Sequence, residues 1–114
     1  MRVWDIKPNM LCDKHLIAQH HEIHCIHSII TGNKTGFANH PEVKRWRGHI
    51  IALCKAHEYT AAEMLRRGFN HSSEVESYPI HLVKHPESWQ SVTDQLNIIK
   101  SKGCKCPERW HNVD

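Results

Sequence analysis

Apolar side chains recur along the first part of the chain at helical spacing. Leu16, Ile23 and Ile30 stand seven residues apart, and Ile26 and Ile29 fall beside them, which puts all of them toward one side of an α-helix. Asn9 and Asp13 are both good N-caps, so this helix is predicted to begin between them and to run to about Ile30, where Thr31, Gly32 and Asn33 stop it. Residues 31 to 45 are polar and read as a loop, in which Pro41 and Glu42 can open a short helical turn. A second helix is predicted from about Arg47 to Arg67, with Gly68 as the residue after its C-cap. Residues 69 to 85 form a loop long enough to cover a site. A third helix is predicted from Pro86 to about Lys102, with a stripe of Trp89, Val92, Leu96 and Ile99, and Gly103 ends it. Trp46 and Trp89 read as core residues, and the tail CKCPERWHNVD as irregular. No stretch alternates as a strand. The predicted class is all-α: a single compact domain over residues 1–114 with three main helices, long connecting loops and an irregular C-terminal tail.

Composition narrows this only modestly. A chain of 114 residues has room for one core, and an apolar fraction of 39% is low for a folded domain but too high for a disordered one. The formal charge of +3, with 12 histidines beside it, permits nucleic-acid binding without requiring it. The opening MRVWDIKP carries charge but no apolar run after it, and no apolar stretch reaches membrane-spanning length. Five cysteines, an odd number with no paired framework, point to reduced thiols in a cytoplasmic or nuclear setting. A monomer with no membrane partner is expected.

Candidate chemistry gathers in DKHLIAQHHEIHCIH, residues 13 to 27, which holds five histidines and one glutamate. At ~100° per residue, Glu22 and His15 share a stripe with Ile26 and Ile29 at the border of the apolar face, so Glu22 should be partly desolvated. His20, His24 and His27 lie on the other border, roughly 160° from Glu22. A metal held by those three could not recruit Glu22, and the run lacks HExxH spacing. His21 points away from both borders and is a candidate for an external anion. Cys104 and Cys106 with His111 are a second metal possibility, weakened by a spacing that is not C-x2-C. No metal and no cofactor is expected.

Three stretches then stand out together: Met1-Arg2 at the start, HLIAQHHEIH at residues 15 to 24, and RWRGHIIALCKAHEYTAAEMLRRGFNHSS at residues 45 to 73. In order and spacing they resemble the pyrimidine-dimer DNA glycosylase family, the phage-type endonuclease V proteins. The resemblance runs from residue 1 to about residue 73 and is weaker beyond, where it rests on a third helix and a basic tail with a tryptophan. It implies a repair enzyme acting on damaged double-stranded DNA at cyclobutane pyrimidine dimers, as both glycosylase and abasic-site lyase. The nucleophile would be the α-amine of residue 1, here Met1, and the catalytic glutamate Glu22, twenty-one positions on.

The amine suits that chemistry. A lysine with pKa about 10.4 is neutral in only ~0.04% of molecules at pH 7, whereas an α-amine near 7.8 is neutral in roughly 10–15%. Two features depart from the family. Initiator methionine before a bulky residue such as Arg2 is generally spared, so Met1 itself should supply the amine. His21 and Cys25 stand where the family commonly has arginines, which implies fewer permanent charges facing DNA. Candidate DNA contacts are Arg2, His15, His21, Arg45, Arg47, Arg66, Arg67, Lys100, Lys102, Lys105 and Arg109, with Trp110 able to stack on a base. Two alternatives stay open: the same mechanism on another modified pyrimidine, and a non-catalytic His-rich helical module that binds DNA or metal.

Overall fold

The computed structural model describes residues 1–32, 36, 38–69 and 85–112, with backbone only at 111 and 112. Its α-helices are α1 (Asp13–Ile30), α2 (Pro41–Trp46), α3 (Ile50–Arg66) and α4 (Val92–Ser101), with short 3-10 turns at Pro8–Met10 and Cys106–Asn112. Among the described residues there is no strand, and the class is all-α. No described helix is long and apolar enough to cross a membrane.

α1 is the spine. Its buried residues Leu16, Gln19, Ile23, Ile26 and Ile29 follow the predicted stripe, and its two halves serve different cores. Ile23, Ile26 and Ile29 pack with Val3, Val43, Trp46, Ala52 and Leu53. Leu16 packs with Trp4, Ile6, Leu11, Met64, Ile99 and Cys106. Each large side chain buried in these clusters contributes about 1.5–3 kcal/mol. Thr31 caps the helix and Gly32, at φ +88°, turns the chain out of it, as the sequence pattern predicts.

Two boundaries differ from the pattern. Pro41 opens a short helix of its own, capped by His40, whose side chain accepts from the Glu42 amide. Gly48, at φ +80°, separates it from α3, which starts at Ile50 rather than near Arg47. α4 begins at Val92, not Pro86, because Ser91 caps it by accepting from the Asp94 amide. Trp89 and Val92 therefore leave the expected core stripe. Trp89 is 52% exposed and donates its indole N–H to Glu42. The buried face of α4 is Gln95 and Ile99, with Leu96 half-buried. Most of the loop expected at 69 to 85 lies outside the described residues.

Candidate active site

Residues 1–7 have no regular structure, so their backbone amides need partners from elsewhere. Three buried side chains supply them. Glu42 accepts from the Val3 amide at 2.7 Å, Gln19 from Trp4 at 2.7 Å and Gln95 from Asp5 at 2.9 Å. One comes from α2, one from α1 and one from α4, so three helices together fix the start of the chain. None of the three was picked out from the sequence. The available signal was polar residues interrupting apolar faces, Gln19 between Leu16 and Ile23 and Gln95 between Val92 and Ile99.

Glu42 is the centre of this arrangement. It also accepts from Arg45 and from the Trp89 indole. Arg45 is correspondingly inward. Its side chain is 3% exposed, ion-paired to Asp5 and Glu42, and bonded to the carbonyls of Val3 and Glu87. Its donors are thus taken up inside the fold, although the resemblance nominated it as a phosphate contact. Arg2 lies over the Trp4 ring, 4.1 Å from its centroid, and donates to Gln90.

Held this way, Met1 reaches the wall of a cavity of ≈460 Å³ lined also by His21, Glu22, Cys25, Ile29, Gly36 and His40. Met1 packs on the core formed by Ile26 and Val43. Glu22 is half-buried, at the border expected from the helical wheel, and His21 is exposed beside it. The Cys25 thiol lies 3.5 Å from His21 Nε2. The two residues nominated for chemistry, twenty-one apart in sequence, thus share one cavity with two histidines and a thiol at its wall.

The other nominated DNA contacts divide by exposure. Arg67 is 7% exposed and ties α3 to the entry of α1, donating to Glu63, Asp13 and the carbonyls of Pro8 and Leu11. Arg109 donates to the Asn9 carbonyl, and the Trp110 indole to that of Met10, so the tail is packed down. Arg45 and Arg67 thus have their side chains inside the fold, and Trp110 is half-buried. Arg66 is exposed but paired with Glu63. Arg47, Lys100, Lys102 and Lys105 are exposed. His15 is turned inward, its Nδ1 3.3 Å from the thiols of both Cys12 and Cys106, and burial lowers its pKa, with Lys102 and Lys14 adding to the effect.

Histidines and cysteines group differently from either sequence expectation. His20 and His24 meet His57 of α3 rather than His27, whose Nε2 is buried without a hydrogen-bond partner. Cys104 and Cys106 meet Cys12 and His15, and the His111 side chain lies outside the described residues. Helical periodicity relates residues on one helix, and both groups form across elements. Burial, beside Cys12 and Cys104, pushes the Cys106 thiol up to about 12.

Residues 1–77 match the family model described as pyrimidine dimer DNA glycosylase. No curated protein and no solved structure matches the chain.

Proposed function

The chain belongs to the pyrimidine dimer DNA glycosylase family, and from that premise we propose that it excises cyclobutane pyrimidine dimers from duplex DNA through the α-amine of Met1 and then cuts the strand. The observation that carries this reading is the shared cavity of Met1 and Glu22, with the chain behind Met1 pinned by Glu42, Gln19 and Gln95. A nucleophile on a chain end is useful only if that end is held in place.

The amine's lone pair attacks C1′ of the damaged nucleotide, and the glycosidic bond breaks with its electron pair leaving on the base. The nitrogen gives up a proton to the departing base, the C1′–O4′ bond breaks with its electron pair on O4′, which takes a proton from water, and the amine and C1′ are left joined as a Schiff base with a positive charge. The Glu22 carboxylate faces that charge and stabilises it. Removal of a proton from C2′ then pushes electrons toward C3′, and the 3′ phosphate leaves by β-elimination; Glu22 is the base for that proton. Water hydrolyses the imine and frees the amine. A cavity of ≈460 Å³ is in the usual ligand-site range of roughly 300–1,000 Å³ and suits an extruded nucleotide. Exposed His21 at the cavity, with Arg47, Lys102 and Lys105 elsewhere on the surface, would meet phosphates. Such an enzyme works on the nucleoid, or in the nucleus of a eukaryotic host.

Borohydride reduction during turnover of dimer-containing duplex should trap a covalent complex, and peptide mapping should place the adduct on residue 1. An adduct on a lysine would overturn the assignment, and no adduct at all would favour a non-catalytic module. His21 and Cys25 in the cavity wall favour a second reading, the same mechanism on another modified pyrimidine. Excision rates across duplexes carrying different lesions separate the two.

A further inference from the structure

At the end of the molecule formed by the start of α1 and the tail, four donor atoms converge. Cys12 Sγ, His15 Nδ1, Cys104 Sγ and Cys106 Sγ all lie within 4.8 Å of one another. The His15 nitrogen is 3.3 Å from Cys12 Sγ and 3.3 Å from Cys106 Sγ. A tetrahedral zinc with Zn–S about 2.3 Å and Zn–N about 2.05 Å requires S···N edges of about 3.5 Å and S···S edges of about 3.8 Å. No disulfide is formed by these cysteines. The frame is local at both ends. Cys12 is the N-cap of α1 and His15 sits one turn in, on the same side. Gly103, at φ +69°, turns the chain after α4 so that Cys104 and Cys106 both face back. The Cys12 amide donates to Cys106 Sγ at 3.0 Å, the kind of outer contact that steadies a metal-bound thiolate. Three thiolates and one zinc carry a net negative charge, and the adjoining cavity is lined by four cations, Lys14, Lys102, Lys105 and Arg109, against two carboxylates, Asp13 and Glu108. We propose that Cys12, His15, Cys104 and Cys106 form a structural zinc site that staples the tail to the first helix.

A separate observation carries a second site between α1 and α3. The Nε2 atoms of His20, His24 and His57 form a triangle with sides of 3.2, 3.2 and 3.0 Å. Each nitrogen is either a donor or an acceptor. With three atoms and two roles, at least one side of the triangle must join two donors or two acceptors, which repel. A cation bonded to all three lone pairs removes the conflict, and N···N edges of about 3.3 Å follow from bonds of about 2.05 Å. His57 is fully buried, and its Nδ1 stands 3.4 Å from the Glu58 carboxylate, the carboxylate–histidine pairing that orients a ligating imidazole. The geometry points to a three-histidine site for a divalent transition metal, with zinc as the test ion.

The test uses the full chain, purified without an immobilised-metal column and gel-filtered from zinc-containing medium. Metal analysis should give two zinc ions per chain. A mercurial that caps thiolates should release one and leave the other. Cobalt substitution of the wild type should produce a thiolate-to-cobalt charge-transfer band. That band should vanish in the double variant Cys104→Ser, Cys106→Ser and persist in His24→Ala, each variant holding one ion, while Cys25→Ser should keep two. Wild-type protein without metal would overturn both sites. Cobalt binding without the thiolate band would overturn the cysteine site, and release of all metal by the mercurial would overturn the histidine site. These wild-type measurements decide the matter even if a variant fails to fold.

Discussion

Glu22 and Glu42 are both carboxylates near the first residue, and their surroundings differ. Glu22 is half-buried at a cavity wall, whereas Glu42 is buried and shared among the Val3 amide, the Trp89 indole and Arg45. Glu22→Gln keeps the shape but can neither take a proton nor offset a cation. Excision by this variant should fall well over tenfold, more than ~1.4 kcal/mol of barrier, with DNA binding kept, as single-turnover rates and gel shifts would show. Activity within that limit would remove Glu22 from the chemistry. Glu42→Ala should act through stability instead. It leaves Arg45 without one of its two buried carboxylates, and breaking such a pair costs about 3–5 kcal/mol. Urea unfolding of the variant should show that loss. At this scale the sequence was partly legible. Glu22 could be placed because a helix has a fixed period and the resemblance supplied a register. Glu42, Gln19 and Gln95 could not, because their partners are backbone amides fifteen to ninety residues away.

Among the elements, α3 and α1 are joined at one end by a charged knot. Glu63 is 8% exposed and receives hydrogen bonds from Arg66 and Arg67, and Arg67 continues to Asp13. Burial works against ionising Glu63, but the hydrogen bonds from Arg66 and then Arg67 outweigh it, so its pKa is lowered. A carboxylate with a folded pKa below its unfolded one stabilises the fold fully above the unfolded value, about 4.3. That contribution is lost as pH falls through the folded value. The stability difference between wild type and Glu63→Gln should therefore hold steady from neutral pH down to about 4.3 and shrink below it, while both proteins lose stability below about 6.5, because burial lowers the His15 pKa and unfolding lets that imidazole take up a proton. Thermal unfolding of both proteins from pH 7 to pH 3 would show this. A parallel pair of curves would mean that other carboxylates govern acid unfolding. The helices themselves were legible from apolar periodicity and from Thr31-Gly32 and Gly68. The start of α4 was misplaced because Pro86 is a good first helical residue, yet Ser91 and Asp94 form the cap, and a proline alone does not decide between two capping signals.

For the whole molecule, sequence counts cations without telling which of them face outward. Arg45 and Arg67 are bound up in buried ion pairs, whereas Arg47, Lys102 and Lys105 stand exposed. Each exposed phosphate contact removed should lower the log–log salt slope of DNA binding by about 1. Arg47→Ala should do so with little change in stability, if Arg47 meets the backbone. Arg67→Ala should leave the slope of the folded protein unchanged and destabilise it by about 1–3 kcal/mol, because the Pro8 and Leu11 carbonyls lose their donor while Glu63 keeps Arg66. His21, exposed at the cavity, adds a condition. Histidine side chains take up charge between pH 8 and pH 5, so the wild-type slope should be steeper at pH 6 than at pH 8. His21→Arg should bind more tightly at pH 8 and narrow the difference between the two pH values. Fluorescence-anisotropy salt titrations at both pH values, alongside denaturant unfolding, separate the two kinds of arginine. A change of slope in Arg67→Ala with unchanged stability would mean that the knot at the end of α3 opens when DNA arrives. Equal wild-type slopes at pH 6 and pH 8 would mean that His21 does not face the phosphates.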